Sequence, residues 1–170
     1  MMIRHGTPAD SYGIAKVHVD TWKETYRGLM PDHVLDGLSY QVKAEEYEAQ
    51  LKNMGATSAN SCLFVAENYQ NEIVGFSMGG LAINDPLPGF TGELYHIYLL
   101  EKYRARGAGK NLFLEVQCWL SERNHKNMFL WALKDLPHIR FYQAMGGLAI
   151  HTKVSEIAKP SEKIAFGFKL

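Results

Sequence analysis

The run Arg104-Ala105-Arg106-Gly107-Ala108-Gly109-Lys110 sets three cations around three small residues. That combination suits phosphate. A helix N-terminus offers free backbone N–H groups and a partial positive charge, and an anion reaches them only where side chains are small. Gly107, Ala108 and Gly109 permit the close approach, while Arg104, Arg106 and Lys110 add full charges. The bland alternative is a solvated basic turn whose glycines serve geometry alone. Two other phosphate motifs are excluded or disfavoured. There is no G-x-x-x-x-G-K-[ST], and no G-x-G-x-x-G follows the first strand. The seven histidines and two cysteines show neither H-E-x-x-H nor C-x-x-C spacing, so no metal is expected. The absence of G-x-S-x-G argues against a serine hydrolase of the α/β type.

The elements that must hold such a cradle can be read in order. Residues 2–5 suit a strand. Thr7-Pro8-Ala9-Asp10 reads as a helix start, with Ile14, Val17, Val19 and Trp22 forming an apolar face that ends near Gly28. Pro31 opens a second helical stretch, residues 41–54 are helix-prone, and residues 55–61 read as a loop. Residues 62–67 and 73–80 form a hairpin, and the chain breaks at 85–89. Residues 93–100 are apolar on both faces, which predicts a central strand. A helix then opens at Gly107, residues 127–133 form a buried strand, and a short helix over 137–145 stops at Gly146-Gly147. Strands over 148–157 and 163–170 finish the chain. This is a mixed α/β layering around one sheet, with no linker to divide the 170 residues.

Composition sets further bounds. Hydrophobic residues are 46% and charged residues 21%, with 18 cations against 18 anions. That neutrality lacks the basic field of a nucleic-acid binder. Cys62 and Cys118 sit in apolar sequence and read as buried small hydrophobes. No apolar run is long enough for a membrane span, so the cytoplasm is the expected compartment.

Arg104-x-x-Gly107-x-Gly109, after a strand and opening a helix, resembles the acetyl-CoA signature [QR]-x-x-G-x-[GA] of the GCN5-related N-acetyltransferase (GNAT) family. Phe141-Tyr142-Gln143-Ala144-Met145-Gly146-Gly147 is similar to that family's F-Y-x-x-x-G-[FG] segment. Ile3-Arg4, Val17-His18, Trp22, Thr25-Tyr26 and Gly28-Leu29 resemble the first strand and acceptor-side helices of small bacterial members. The element order agrees nearly end to end. The resemblance implies a GNAT-type, mostly antiparallel sheet flanked by helices, in one domain.

It also implies chemistry. An amine attacks the thioester of acetyl-CoA directly in a ternary complex, which calls for a base, oxyanion donors and an acid for the leaving thiolate. Ile97, Tyr98 and Leu99 would meet the pantetheine arm, and Arg104 to Gly109 with Lys110 would hold the pyrophosphate. Tyr142 corresponds to the thiolate acid; a phenol, with a pKa of about 10, is protonated at neutral pH. Its alternative is a core tyrosine. Glu93 stands where many members carry a general base, against the alternative of a strand-end carboxylate facing solvent. Strand alternation puts Glu93 and Tyr95 on one face and His96 on the other. His138 reads as a surface histidine. Phe141 belongs to the F-Y segment. Asp135 stands where many members have a pantetheine-contacting Asn, and an ionised Asp accepts but cannot donate. Trp22 and Tyr26 share a helix face, as acceptor pocket or as core. Tyr12, Tyr40 and Tyr47 carry no signal. The implied partners are acetyl-CoA and an amine of unstated identity, without metal, nucleic acid or membrane, and a homodimer is an open expectation. A non-catalytic acyl-CoA sensor of the same fold is the rival reading.

Overall fold

A computed structural model describes residues 1–57, 60–155 and 161–170. Its strands are β1 (Met2–His5), β2 (Ser61–Glu67), β3 (Ile73–Leu81), β4 (Gly92–Leu99), β5 (Asn127–Leu133), β6 (Leu148–Ser155) and β7 (Ser161–Lys169). Its helices are α1 (Ser11–Tyr26), α2 (Asp32–Asp36), α3 (Tyr40–Thr57), α4 (Ala108–Glu122) and α5 (Ile139–Ala144). One seven-stranded sheet runs in the order β1-β2-β3-β4-β5-β7-β6. Every neighbouring pair is antiparallel except β4–β5.

That exception shapes the molecule. β4 and β5 pair only at Gly92 with Met128 and Glu93 with Phe129. Beyond Glu93 the two strands part, and the β4 edge that faces β5 is left without a ladder among the described residues. A second irregularity lies on the other side of β4. Met78 pairs with His96 but Gly79 pairs with Leu94, so Tyr95 is an extra residue, a β-bulge.

Two layers cover the sheet. Leu112, Phe113, Val116 and Leu120 of α4 pack with Leu94, Met128, Leu130, Phe166 and Tyr142 on one face. Ile14 and Val17 of α1 pack with Ala44, Tyr47 and Leu51 of α3, and with Phe76, on the other. The α4 layer approaches the sheet closely because β3 offers small residues there. A Cβ on Gly79 would stand 2.5 Å from Val116 Cγ1 and 2.7 Å from the Glu93 carbonyl oxygen. Ser77 adds a hydrogen bond from Oγ to the Leu112 carbonyl, 2.9 Å.

Most expected elements are present, with local corrections. The first turn, Pro8–Asp10, is a 3-10 turn; the α-helix starts at Ser11 and ends at Tyr26. There the Asp10 carboxylate accepts from the Thr7 N–H and from Arg4, so it closes the turn and holds β1. Helix α3 continues through Thr57, across residues expected as loop, because its face carrying Ala44, Tyr47 and Leu51 is fastened to the core. The rest of that loop, residues 58–59, and the end of the sixth strand, 156–160, lie outside the described residues. Cys62 is buried, but Cys118 is exposed on the outer side of α4, contrary to expectation. No helix among the described residues is long and apolar enough to cross a membrane.

Candidate functional site

The basic turn lies where β4 leaves the sheet. A 3-10 turn at Glu101–Tyr103 carries the chain from β4 to Arg104. Ala105 then has φ +58° and Gly107 φ +86°. Both are left-handed, a conformation strained for an L side chain but open to glycine. Gly107 is the N-cap of α4, and no heavy atom lies within 4 Å of the point where its Cβ would stand. The first-turn N–H groups of α4 have no intrahelical partners. The geometry is a bare cradle at the end of an open strand edge. Ala108 is buried beneath it, while Arg106 and Lys110 flank it. Gly109 meets only the Phe141 ring, 3.8 Å from its Cβ position. Phe141 in turn packs edge-on against Phe113, centroids 6.1 Å apart, which fixes α5 beside the first turn of α4.

Arg104 departs from the simple expectation. Its guanidinium makes a two-pronged pair with Glu24 of α1, at 2.6 and 3.1 Å, and its Nε donates to the Leu99 carbonyl at 3.1 Å. It fastens the end of β4 to α1 instead of standing free over the cradle.

Tyr142 reaches the site from α5. The residue is buried among Phe141, Phe166 and His138. Burial, with a smaller contribution from Tyr26, pushes its phenol above the usual tyrosine range, so it is protonated at neutral pH. Its hydroxyl makes no hydrogen bond among the described residues, and it is not among the sealed, unpartnered polar atoms. The hydroxyl proton is therefore not committed to a protein acceptor among the described residues. His138, expected at the surface, is half-buried against the Tyr142 ring; burial first, and Arg104 second, lower its pKa. Asp135 is exposed on the loop between β5 and α5.

The opposite wall is aromatic. Trp22 Nε1 donates to the Tyr98 hydroxyl at 2.9 Å, and Tyr26 packs edge-on against Trp22 at 5.1 Å. The pairing of Trp22 and Tyr26 expected from their spacing is present, and Tyr98 joins them. Tyr26, Tyr98 and Tyr142 lie close enough for each to influence another's ionisation. Three elements, α1, β4 and α5, thus bring phenols toward one cleft. Ile97 and Leu99 point instead toward α4, where Ile97 joins the core and Leu99 closes on Gly75.

Glu93 is 3% exposed at the point where β4 and β5 part. Its Oε2 accepts the backbone N–H groups of Ile83 and Asn84, at 3.0 and 2.9 Å. Burial raises its pKa while those two bonds oppose the rise. The carboxylate anchors the β3–β4 connection and does not face solvent.

The bulge at Tyr95 changes the face assignment made from alternation. Phe76, Met78 and Gly80 lie on the α1 side of β3, and their partners are Tyr98, His96 and Glu93. The extra residue returns His96 to the face of Glu93. Sequence reasoning also missed His18 and Tyr47. They join across 29 positions, through a bond of 2.7 Å between His18 Nδ1 and the Tyr47 hydroxyl. Among the described residues no group of three or more His, Cys, Asp or Glu side chains could hold a metal ion.

Comparison with known proteins agrees with this geometry. The model of the Acetyltransferase (GNAT) family matches residues 22–147. The chain is 35% identical over 142 residues to the uncharacterized N-acetyltransferase YuaI of Bacillus subtilis (strain 168), covering 84% of this chain and 77% of that protein. Among solved structures, the ribosomal-protein-alanine N-acetyltransferase of Brucella melitensis superposes with a TM-score of 0.77 at 20% identity, covering 100% of both chains. The PaiA N-acetyltransferase of Thermoplasma acidophilum, solved in complex with coenzyme A, gives 0.72 at 17% identity, covering 96% of each. The parted strands, the cradle at α4 and the match across residues 22–147 place this chain in the GCN5-related N-acetyltransferase family.

Proposed function

We propose that this chain transfers an acetyl group from acetyl-CoA to an amine by direct attack in a ternary complex. One observation carries the reading. A strand edge left without a partner beyond Glu93 among the described residues leads, through one short turn, into an open helix N-terminus capped by a left-handed glycine. An extended pantetheine arm fits the first part, and a pyrophosphate fits the second. That a protein of the same fold, the Thermoplasma acidophilum N-acetyltransferase, was solved in complex with coenzyme A supports the choice of cofactor.

In this reading Ile97, Tyr98 and Leu99 offer backbone groups to the arm. Arg106, Gly107, Ala108, Gly109 and Lys110 hold the phosphates, with Ala105 shaping the turn. Arg104 orients the loop through Leu99 and Glu24. Phe141 keeps α5 against α4, and Asp135 lies on the loop that enters α5. Trp22 and Tyr26 line the acceptor side. Tyr142 gives its proton to the departing thiolate. Glu93, the other expected catalytic group, sets the floor of the cleft at the branch point and is a candidate proton acceptor there. The two unpaired cysteines suit a reducing compartment, consistent with a cytoplasmic enzyme.

The test is release of free thiol from acetyl-CoA in the presence of spermidine, kanamycin, alanine, 2-phenylethylamine, and a peptide with a free N-terminus and a lysine. Amine-dependent release supports the reading. Saturable acetyl-CoA binding without release for any amine would favour the sensor instead.

A further inference from the structure

Resting on that reading and deepening it, we propose that His96 takes the proton of the attacking amine. The first ground is placement. The bulge at Tyr95 turns His96 onto the face of Glu93 and Tyr98, on the stretch of β4 that has already parted from β5. Tyr95 itself is drawn away, its hydroxyl donating to the Leu81 carbonyl at 2.5 Å. The second ground is the state of the rival. Glu93 Oε2 is committed to two backbone N–H groups, and the residue is almost wholly enclosed. A carboxylate that moves to take a proton would abandon both donors.

The third ground is availability. His96 makes no hydrogen bond among the described residues, and neither of its ring nitrogens is a sealed, unpartnered atom. The residue is half-buried, and its ring nitrogens are not committed to a protein partner among the described residues. Packing fixes the plane of the ring. Tyr98 stacks on it at 5.8 Å with a 21° tilt, and His18 lies 6.1 Å away. His18 is held by Tyr47, and Tyr98 by Trp22, so both neighbours are tethered. The titratable and charged groups that act on His96 are His18 from α1, Lys43 from α3 and Tyr98 from β4. Burial, with Lys43 adding to it, lowers the His96 pKa to about 4, so the imidazole is neutral at physiological pH. A neutral imidazole is a weak base toward a free ammonium. It suffices for the far more acidic N–H of an amine that has begun to share its lone pair with a carbonyl.

The step balances. The amine lone pair forms the C–N bond, and the carbonyl π pair moves onto oxygen. The nitrogen proton passes to His96. The oxygen pair returns, the C–S bond breaks, and the thiolate takes the Tyr142 proton. Amide and free thiol leave, and imidazolium and phenolate are neutralised by proton exchange through solvent.

The experiment uses the full chain and the fastest amine of the panel above. His96→Gln is expected to lower kcat by about 100-fold or more, with acetyl-CoA affinity by calorimetry and the melting temperature unchanged. His96→Ala is expected to regain turnover as free imidazole is added. Wild-type kcat in folded His96→Gln overturns the proposal. Loss of kcat in Glu93→Gln beside an active His96→Gln overturns it too, and assigns the proton to Glu93. Absence of amine-dependent thiol release by the wild-type chain is a separate result: it defeats the transferase reading itself, and the inference with it.

Discussion

Tyr142 and His96 illustrate how differently two residues declare themselves. Tyr142 sits in a local segment, Phe141-Tyr142 ahead of two glycines, and its surroundings come mostly from its own helix and the strand beneath. Its place on α5 was legible because its context is short-range. Tyr142→Phe keeps the ring in the core and removes only the hydroxyl. Turnover should fall by about 10- to 100-fold with acetyl-CoA affinity retained, read by thiol release and calorimetry side by side. His96 was misassigned because alternation is a rule for regular strands, and one extra residue inverts it. Its burial has a second consequence. The folded pKa of about 4 lies below the ordinary histidine value of 6.5, so between those limits the unfolded chain binds a proton that the folded chain refuses. Stability is complete above the upper limit and falls as pH falls, by about 1.4 kcal/mol per pH unit. Urea midpoints from pH 6.5 to 5 should therefore drop faster for wild type than for His96→Gln. Parallel curves would show that the imidazole is not held neutral.

At the scale of elements, the junction of α1 with the end of β4 is the least expected feature. Arg104 and Glu24 are 80 positions apart, and neither carries a mark of the other. The signature spacing foretold where Arg104 stands but not what it holds, since a pair so distant exists only once the fold has formed. Glu24 neutralises Arg104, and in the proposed function a phosphate entering the cradle would compete with that carboxylate. Glu24→Gln should tighten acetyl-CoA binding by about two- to fivefold, the order of an exposed ion pair, and steepen its dependence on salt. Unchanged affinity would mean that Arg104 plays no part in phosphate binding. His18 and Tyr47 were invisible for the same reason: their meeting depends on how α1 crosses α3. By contrast, α4 and its N-cap were legible, because the left-handed Gly107 and the apolar stripe behind it are properties of one short segment.

Over the whole molecule, the order of strands and helices followed from periodicity and turn residues, whereas the parting of β4 from β5 was implied only by the family resemblance. Neither strand carries a break in its apolar pattern. β5 pairs along its full length with β7, and β4 with β3, yet the two share only two positions with each other. The cradle is held against this divided sheet by close packing. Gly79→Ala would force apart Val116 and the Glu93 carbonyl, and should destabilise the chain by about 1–3 kcal/mol in urea denaturation. An unchanged midpoint would show that α4 can shift freely. In the proposed function the open helix N-terminus is the phosphate site. Calorimetric titration of acetyl-CoA into the wild-type chain and into Gly107→Glu measures that directly. Saturable binding to the wild type, lost in a variant whose melting shows it folded, is the predicted result. Equal affinity in a folded Gly107→Glu would contradict it.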